Sequence, residues 1–314
     1  MHIIGGSSNF LLLEDICTFL TYEKKFDIKP TKVILGRFSD GETRIEINEN
    51  LRGQDVFVIQ SLSKPVNDNL MELVLILDAL KRSDVKSVTV MLPYYGYSRQ
   101  DKKIRQRVPI SAKVIADILQ LYPLKRIVTL DLHSNQIQGF FNCPVDNLYG
   151  SIVFLPYMKK HTNGLICISP DAGGTERVAH YAKKLNCEMA FCYKHRDNPN
   201  EIGEMRLVGN VKNKDCLIID DMADTCNTLV EASKLLVENK AKSVHVYVTH
   251  GVLSGNALEK IKDTKIESFS MTDSILPSID VMKCNKIRLI SIAPILGESI
   301  LRLIEGRSLS EMFK

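Results

Sequence analysis

Along almost its whole length the chain alternates short apolar runs with longer stretches whose apolar residues recur at helical spacing. A run of four to eight apolar residues reads as a strand buried on both faces, and strands that alternate with helices pair in parallel. In the first half this places strands at 55–60, 85–92 and 126–130, with helices over 67–83 and 109–121 between them. Leu70, Leu73, Val74, Leu77 and Leu80 share one face of the first helix, with Asn67 or Asp68 positioned to cap it, and Pro109 suits the opening turn of the second. After 146–156 the alternation restarts. Strands follow at 165–169, 189–193, 216–220, 243–249 and 287–292, with helices at 174–185, 228–239 and 294–306.

At 314 residues and 45% hydrophobic content the chain has material for two cores. The expected class is α/β, with two domains each built on a mostly parallel sheet flanked by helices. Residues 1–147 form the first, residues 148–302 form the second, and the tail 303–314 packs back on the first. No sequence repeat relates them.

A net charge of +4 without a long Lys/Arg block argues against a nucleic-acid partner and suits small anions. The eight cysteines form no CxxC pair, and several sit in apolar runs, as Cys167 and Cys216 do. They read as buried, reduced thiols of a cytoplasmic protein. No apolar run approaches the roughly 20 residues of a membrane span. The opening Met1-His2-Ile3-Ile4-Gly5-Gly6 has no signal-peptide pattern, so no membrane partner is expected.

The most informative local run is Leu217-Ile218-Ile219-Asp220-Asp221-Met222-Ala223-Asp224-Thr225-Cys226-Asn227-Thr228. A strand enters two adjacent carboxylates, then a polar turn, then a helix. Ligands of open α/β sheets bind at the carboxyl ends of strands. The turn offers backbone N–H groups, two threonine hydroxyls and a helix N-terminus to a phosphate. The acids suit sugar hydroxyls or a Mg²⁺ that keeps part of its water. A plain helix cap with solvated carboxylates would need only one of these acids.

This run resembles the phosphoribosyl-binding motif shared by phosphoribosyltransferases and ribose-phosphate pyrophosphokinases. The family form usually has Gly where this chain has Asn227, and Asn is the non-glycine residue that best tolerates a left-handed backbone. Tyr94-Tyr95-Gly96-Tyr97-Ser98-Arg99-Gln100-Asp101-Lys102-Lys103 is similar to the ATP-side loop of the pyrophosphokinases, which simple phosphoribosyltransferases lack. Gly36-Arg37-Phe38-Ser39-Asp40-Gly41-Glu42, on residue types alone a polar turn, resembles the segment that completes the nucleotide pocket from a neighbouring subunit. Ile104 stands where some members carry an Asp near ATP.

The resemblance covers nearly the whole chain and implies two phosphoribosyltransferase-like domains with the active site between them. It implies that Phe38, Asp40, Glu42, Arg99, Gln100, Lys102, Lys103 and His133 hold ATP. Asp220, Asp221, Asp224, Thr225, Cys226, Asn227 and Thr228 would hold ribose 5-phosphate. Mg²⁺ would be served by His133, Asp171, Asp220 and Asp221. Lys194 and Arg196 lie in a stretch, Lys194–Gly203, that resembles the family's catalytic flap, and would stabilise charge on the transferring group. Gly173 and Gly174 permit either close approach of a phosphate or tight helix packing.

The implied activity is transfer of the β,γ-diphosphoryl group of Mg-ATP to the 1-hydroxyl of ribose 5-phosphate. In the phosphate-activated class of the family, three dimers make a homohexamer. Phosphate activates it and ADP inhibits it at a shared intersubunit site. The matching positions here are Arg52, Arg107, Ser308, Ser310 and Phe313, with Asn50 where a Ser is common. Two other readings stay open: a phosphoribosyltransferase, and a catalytically silent regulatory subunit of such an enzyme.

Overall fold

The apolar runs of the sequence become the strands of two separate sheets in the computed structural model, which describes residues 1–26, 28–161, 164–195 and 204–313. Met1–Tyr149, Ser274–Leu276 and Ser291–Lys314 form unit 1; Gly150–Asp273 and Pro277–Ile290 form unit 2.

Unit 1 contains strands β1 (His2–Gly5), β2 (Val33–Arg37), β3 (Thr43–Ile47), β4 (Asp55–Ile59), β5 (Ser87–Leu92), β6 (Leu124–Leu130) and β7 (Val145–Leu148). Five of them make a parallel sheet in the order β1-β4-β5-β6-β7. Helices α1 (Phe10–Thr18), α2 (Val66–Arg82) and α3 (Ser111–Leu119) belong to the same unit. Val56, Val58, Val90 and Ile127 of the sheet close a core with Leu73, Ile76 and Leu77 of α2 and Ile115 and Leu119 of α3. Burial of each such side chain is worth about 1.5–3 kcal/mol, which is what holds these helices to the sheet.

Strands β1 and β7 and helix α1 lie outside the sequence reading, and two further features differ from it. Helix α2 starts at Val66 behind Pro65 and has no side-chain cap. Asn67 instead accepts from the Tyr97 hydroxyl, and Asp68 pairs with Arg37 at 2.5 Å. Strands β2 and β3 form an antiparallel hairpin that carries residues 38–42 at its tip. Val33, Leu35, Ile45 and Ile47 face the core from it, and the alternate residues are exposed or half-buried.

Unit 2 contains β8 (Leu165–Ser169), β9 (Glu188–His195), β10 (Glu204–Val208), β11 (Asp215–Ala223), β12 (Ser243–Gly251), β13 (Ser268–Thr272) and β14 (Ile287–Ile290). They form one sheet in the order β10-β9-β8-β11-β12-β13-β14, parallel except for the β9–β10 hairpin. Its helices are α4 (Ser151–Met158), α5 (Thr175–Leu185), α6 (Asn227–Glu238), α7 (Ala257–Asp263) and α8 (Ile279–Met282). Along β11, Leu217 and Ile219 pack with Phe154, Val178 and Tyr181, while Cys216 and Ile218 pack with Leu229, Ala232 and Leu236. Burial on both faces is why the middle of this strand, residues 216–219, reads as an unbroken apolar run.

The chain leaves β8 through α5 to reach β9 on one side, and leaves β11 through α6 to reach β12 on the other. The order therefore reverses between β8 and β11, and crevices at the carboxyl ends of such strands are where α/β sheets take ligands.

Helix α9 (Ala293–Ile304) counts with unit 1, whereas the expected second domain ran to residue 302. Its apolar stripe packs on α1, and Gly297 lies so close to Phe19 that an added Cβ would sit 2.4 Å from the ring. All eight cysteines are free thiols. Among the described residues no helix is long and apolar enough to cross a membrane.

Candidate active site

The carboxylate pair stands at the reversal point of unit 2. Strand β11 continues to Ala223, so Asp220 and Asp221 lie within it rather than in the following turn. Their side chains are 17% and 5% exposed, and Arg177 of α5 reaches both, at 3.6 Å from Asp220 Oδ1 and 3.1 Å from Asp221 Oδ1. The Asp221 amide donates to Asp220 Oδ1 at 2.9 Å. Burial, reinforced by the charge of Asp221, raises the proton affinity of Asp220 well above that of an ordinary carboxylate, and Arg177 offsets part of this. Arg177 carries no motif. It was not singled out from the sequence, because only the fold brings α5 beside the end of β11.

Past the pair the chain turns into α6. The residue in the left-handed region is Cys226, at φ 61° and ψ 7°, and Asn227 is the first helical residue. The left-handed strain expected at Asn227 is therefore absent: α6 begins one residue before the expected Thr228, so the turn closes one residue earlier. Asn227 Oδ1 accepts from Lys260 Nζ at 2.7 Å. A Gly here would remove that bond without relieving any strain.

A left-handed residue followed by a helical one aims successive N–H groups into a shared concavity suited to an anion. No acidic residue lies in the first turn of α6 to neutralise it. Cys226 is 4% exposed, and burial pushes its thiol pKa up to about 12, so it offers backbone rather than sulfur chemistry. The Ala223 and Asp224 carbonyls are held by the amides of Val252, Leu253 and Ser254 at 2.9–3.0 Å, which anchors the base of the turn.

Beside this turn, Asp171 follows β8. Its Oδ1 accepts from the Gly174 amide at 2.9 Å, and its carbonyl accepts from Ser169 Oγ at 2.6 Å. A Cβ on Gly174 would lie 2.8 Å from Ser169 Oγ, so this glycine serves tight closure of the turn. Lys194 is exposed near the end of β9 and pairs with Glu231 of α6 at 3.0 Å. Arg196 and the rest of the flap to residue 203 lie outside the described residues.

Unit 1 carries the residues assigned to the nucleotide. Phe38, at the tip of the β2–β3 hairpin, is 54% exposed. The tip is closed by the Phe38 amide donating to the Glu42 carbonyl at 2.8 Å and the Glu42 amide donating to Asp40 Oδ1 at 3.0 Å. An aromatic face held in solvent on a rigid turn suits stacking on a base.

Tyr94 and Tyr95 after β5 are buried, so Arg99, Gln100, Lys102 and Lys103 emerge from a fixed stem onto the surface. The Gln100 side chain accepts from the Ser111 hydroxyl, and its carbonyl accepts from the Ala112 amide at 3.2 Å. His133 is exposed beyond β6, where the Leu132 amide is held by Asn147 Oδ1 at 3.1 Å.

The residues matched to the effector site also lie in unit 1. Ser308 and Ser310 share a hydrogen bond of 2.7 Å, and Phe313 packs edge-on against Tyr149. Arg52 is exposed and 3.8 Å from Asp84, and Arg107 is exposed with a left-handed backbone.

Among the described residues no three His, Cys, Asp or Glu side chains gather as a closed metal cage. Mg²⁺ does not need one, because it binds through one or two carboxylates together with substrate phosphates and retained water. Asp220 and Asp221 fit that role by donor type. An imidazole is a softer donor than a carboxylate, so His133 is the less favoured direct ligand for so hard a cation and can also serve it through water.

A carboxylate pair and an anion-ready turn at a sheet's reversal point are features of α/β enzymes that handle phosphorylated ligands. The N-terminal domain of ribose phosphate pyrophosphokinase matches residues 1–122, and the phosphoribosyl synthetase-associated domain matches residues 190–314. The ribose-phosphate pyrophosphokinase of Nitrosomonas europaea is 46% identical, covering 99% of this chain and 97% of its own. That of Rhizobium meliloti is 44% identical over the full length of both. The crystal structure of phosphoribosylpyrophosphate synthetase from Mycobacterium smegmatis superposes with a TM-score of 0.90 at 35% identity, covering 97% of this chain and 99% of that one. The chain belongs to the ribose-phosphate pyrophosphokinase family. Its class is that of a diphosphotransferase acting in nucleotide biosynthesis.

Proposed function

We propose that the chain carries out the family reaction with its own residues in the following roles. The ribose 1-hydroxyl oxygen attacks the β-phosphorus of ATP, the bond from that phosphorus to the α,β-bridging oxygen breaks, AMP leaves with that oxygen, and the hydroxyl proton is released to solvent. Chemistry of this kind depends on positioning and charge neutralisation rather than on a covalent nucleophile. The observation that carries this reading is the Asp220–Asp221 pair leading into the left-handed Cys226 turn.

The pair orients the ribose diol. The N–H groups around Cys226, Asn227 and Thr228, with the Thr225 and Thr228 hydroxyls, take the 5-phosphate. Phe38 stacks on adenine, Asp40 and Glu42 accept from its amine or the sugar, and Arg99, Gln100, Lys102 and Lys103 hold the nucleotide. Mg²⁺, served by Asp220 and Asp221 and through water by His133 and Asp171, supplies charge neutralisation for the phosphate oxygens. Lys194 and Arg196 stabilise charge on the transferring group.

The working form is a dimer-based homohexamer in the cytoplasm, activated by phosphate and inhibited by ADP through Arg52, Arg107, Ser308, Ser310 and Phe313. The test is release of AMP by the purified chain from Mg-ATP. AMP production that depends on ribose 5-phosphate is the expected result. Its absence would favour the silent regulatory subunit, and consumption of phosphoribosyl pyrophosphate with a free base would favour the phosphoribosyltransferase.

A further inference from the structure

Lys260 belongs to the last turn of α7, 33 residues from the phosphate turn, and is half-buried. Its ammonium donates to Asn227 Oδ1 at 2.7 Å and to the Thr225 carbonyl at 3.1 Å. These two acceptors flank Cys226, the left-handed residue of the turn. Both are uncharged oxygen acceptors.

We infer that Lys260 is a positioning residue for the sugar phosphate. It latches the 225–227 backbone in the conformation that presents N–H groups to the anion. The inference rests on the reading of 224–228 as the 5-phosphate turn.

In a planar trans peptide the carbonyl and the following N–H point in opposite directions. Holding the Thr225 oxygen on Lys260 therefore turns the Cys226 N–H to the other side, away from the lysine. If the carbonyl is released, that peptide is free to rotate and set an oxygen lone pair against the phosphate. A non-glycine residue in the left-handed region persists only where its surroundings hold it. Here the hold comes from two directions: the buried Cys226 side chain anchors one, and the Lys260 bridge anchors the other. Asn227, where the family usually has Gly, supplies the side-chain acceptor that makes the bridge two-pronged.

The experiment is saturation kinetics for ribose 5-phosphate and for Mg-ATP on the full chain, read by AMP release. Hydrogen bonds to a charged group carry enough energy that Lys260→Gln should raise the ribose 5-phosphate KM about tenfold. Its kcat and its KM for Mg-ATP should stay within about threefold, because the latch acts on the binding of one substrate. Lys260→Arg should restore the ribose 5-phosphate KM to within about threefold of the parent, since a guanidinium reaches the same two oxygens. Asn227→Ala should raise the same KM, and adding it to Lys260→Gln should have little further effect, as expected for partners in one interaction.

Thr228→Val separates the latch from the reading beneath it. If Thr228→Val raises the ribose 5-phosphate KM while Lys260→Gln and Asn227→Ala do not, the latch is overturned and the phosphate turn stands. If none of the three moves it, the turn assignment falls and takes the latch with it. An equal rise in both substrates' KM values, or no rescue by Arg, would reduce Lys260 to a structural residue. Should Lys260→Gln fail to fold, Asn227→Ala and Lys260→Arg carry the same comparison.

Discussion

Replacing Arg177 with Met removes a cation that bridges the two strand-end carboxylates while keeping most of the side chain's length. Arg177 lies 3.1 Å from Asp221 and 3.6 Å from Asp220, and all three side chains are under a fifth exposed. Breaking a buried pair by removing one partner typically costs about 3–5 kcal/mol. The lower end applies here, about 3 kcal/mol, because Asp220 can take up a proton and relieve part of the repulsion. At about 2–4 °C per kcal/mol for a unit of roughly this size, Tm should fall by about 6–12 °C.

The pH dependence has a definite sign. Asp220 already holds its proton to a higher pH than an ordinary carboxylate, and losing Arg177 raises its affinity further. The unfolded chain releases that proton near about pH 4, so above this the folded variant binds more protons than the unfolded one and loses stability as pH rises. The deficit should therefore be smaller at about pH 5 than at about pH 8. Thermal and urea unfolding followed by circular dichroism, first in EDTA and then with MgCl₂, would measure it. Mg²⁺ should return part of the loss by replacing the missing charge. A deficit below about 1 kcal/mol, or one equal at both pH values, would show that Arg177 does not neutralise this pair.

Three further outcomes follow from the site. Lys194→Ala and Arg196→Ala should each lower kcat by about 10²-fold or more with small changes in KM, since their charge is needed as the phosphoryl group moves; an unchanged kcat in both would remove the flap from the mechanism. Phe38→Ala should raise the KM for ATP but not for ribose 5-phosphate, and activity of the parent chain should fall on dilution if the hairpin tip serves a neighbouring subunit; a fully active monomer by light scattering would contradict this. Arg52→Ala and Arg107→Ala should each blunt activation by phosphate and inhibition by ADP while leaving the activity without effectors near that of the parent, and a parent chain indifferent to both ions would defeat the effector site.

The strands that read clearly from the sequence are those buried on both faces. Residues 216–219 are an unbroken apolar run because Cys216 and Ile218 face one layer of helices while Leu217 and Ile219 face the other. The same physics hid other elements. Strand β1 has only four residues, and the β2–β3 hairpin alternates half-buried with exposed positions around a polar tip. Helix α9 reads as a helix by its spacing, but its membership of unit 1 depends on fitting against α1 and Phe19, a partner far away in sequence.

At the site, the chemical types and their succession are legible along the chain: acids at a strand end, then a small polar turn, then a helix. That order is local, and residue identity sets it. Tertiary structure decided what neutralises and shapes those groups. Arg177 meets Asp221 across 44 residues, and Lys260 meets Asn227 across 33, so neither pairing leaves a trace in local spacing. The position of the left-handed residue was likewise a matter of tertiary fit. Side-chain tolerance points to Asn227, but α6 begins at Asn227 and the Cys226 side chain is buried, so the turn falls on Cys226 instead. Backbone preferences differ by about 1–2 kcal/mol, and packing one side chain into a core outweighs that difference.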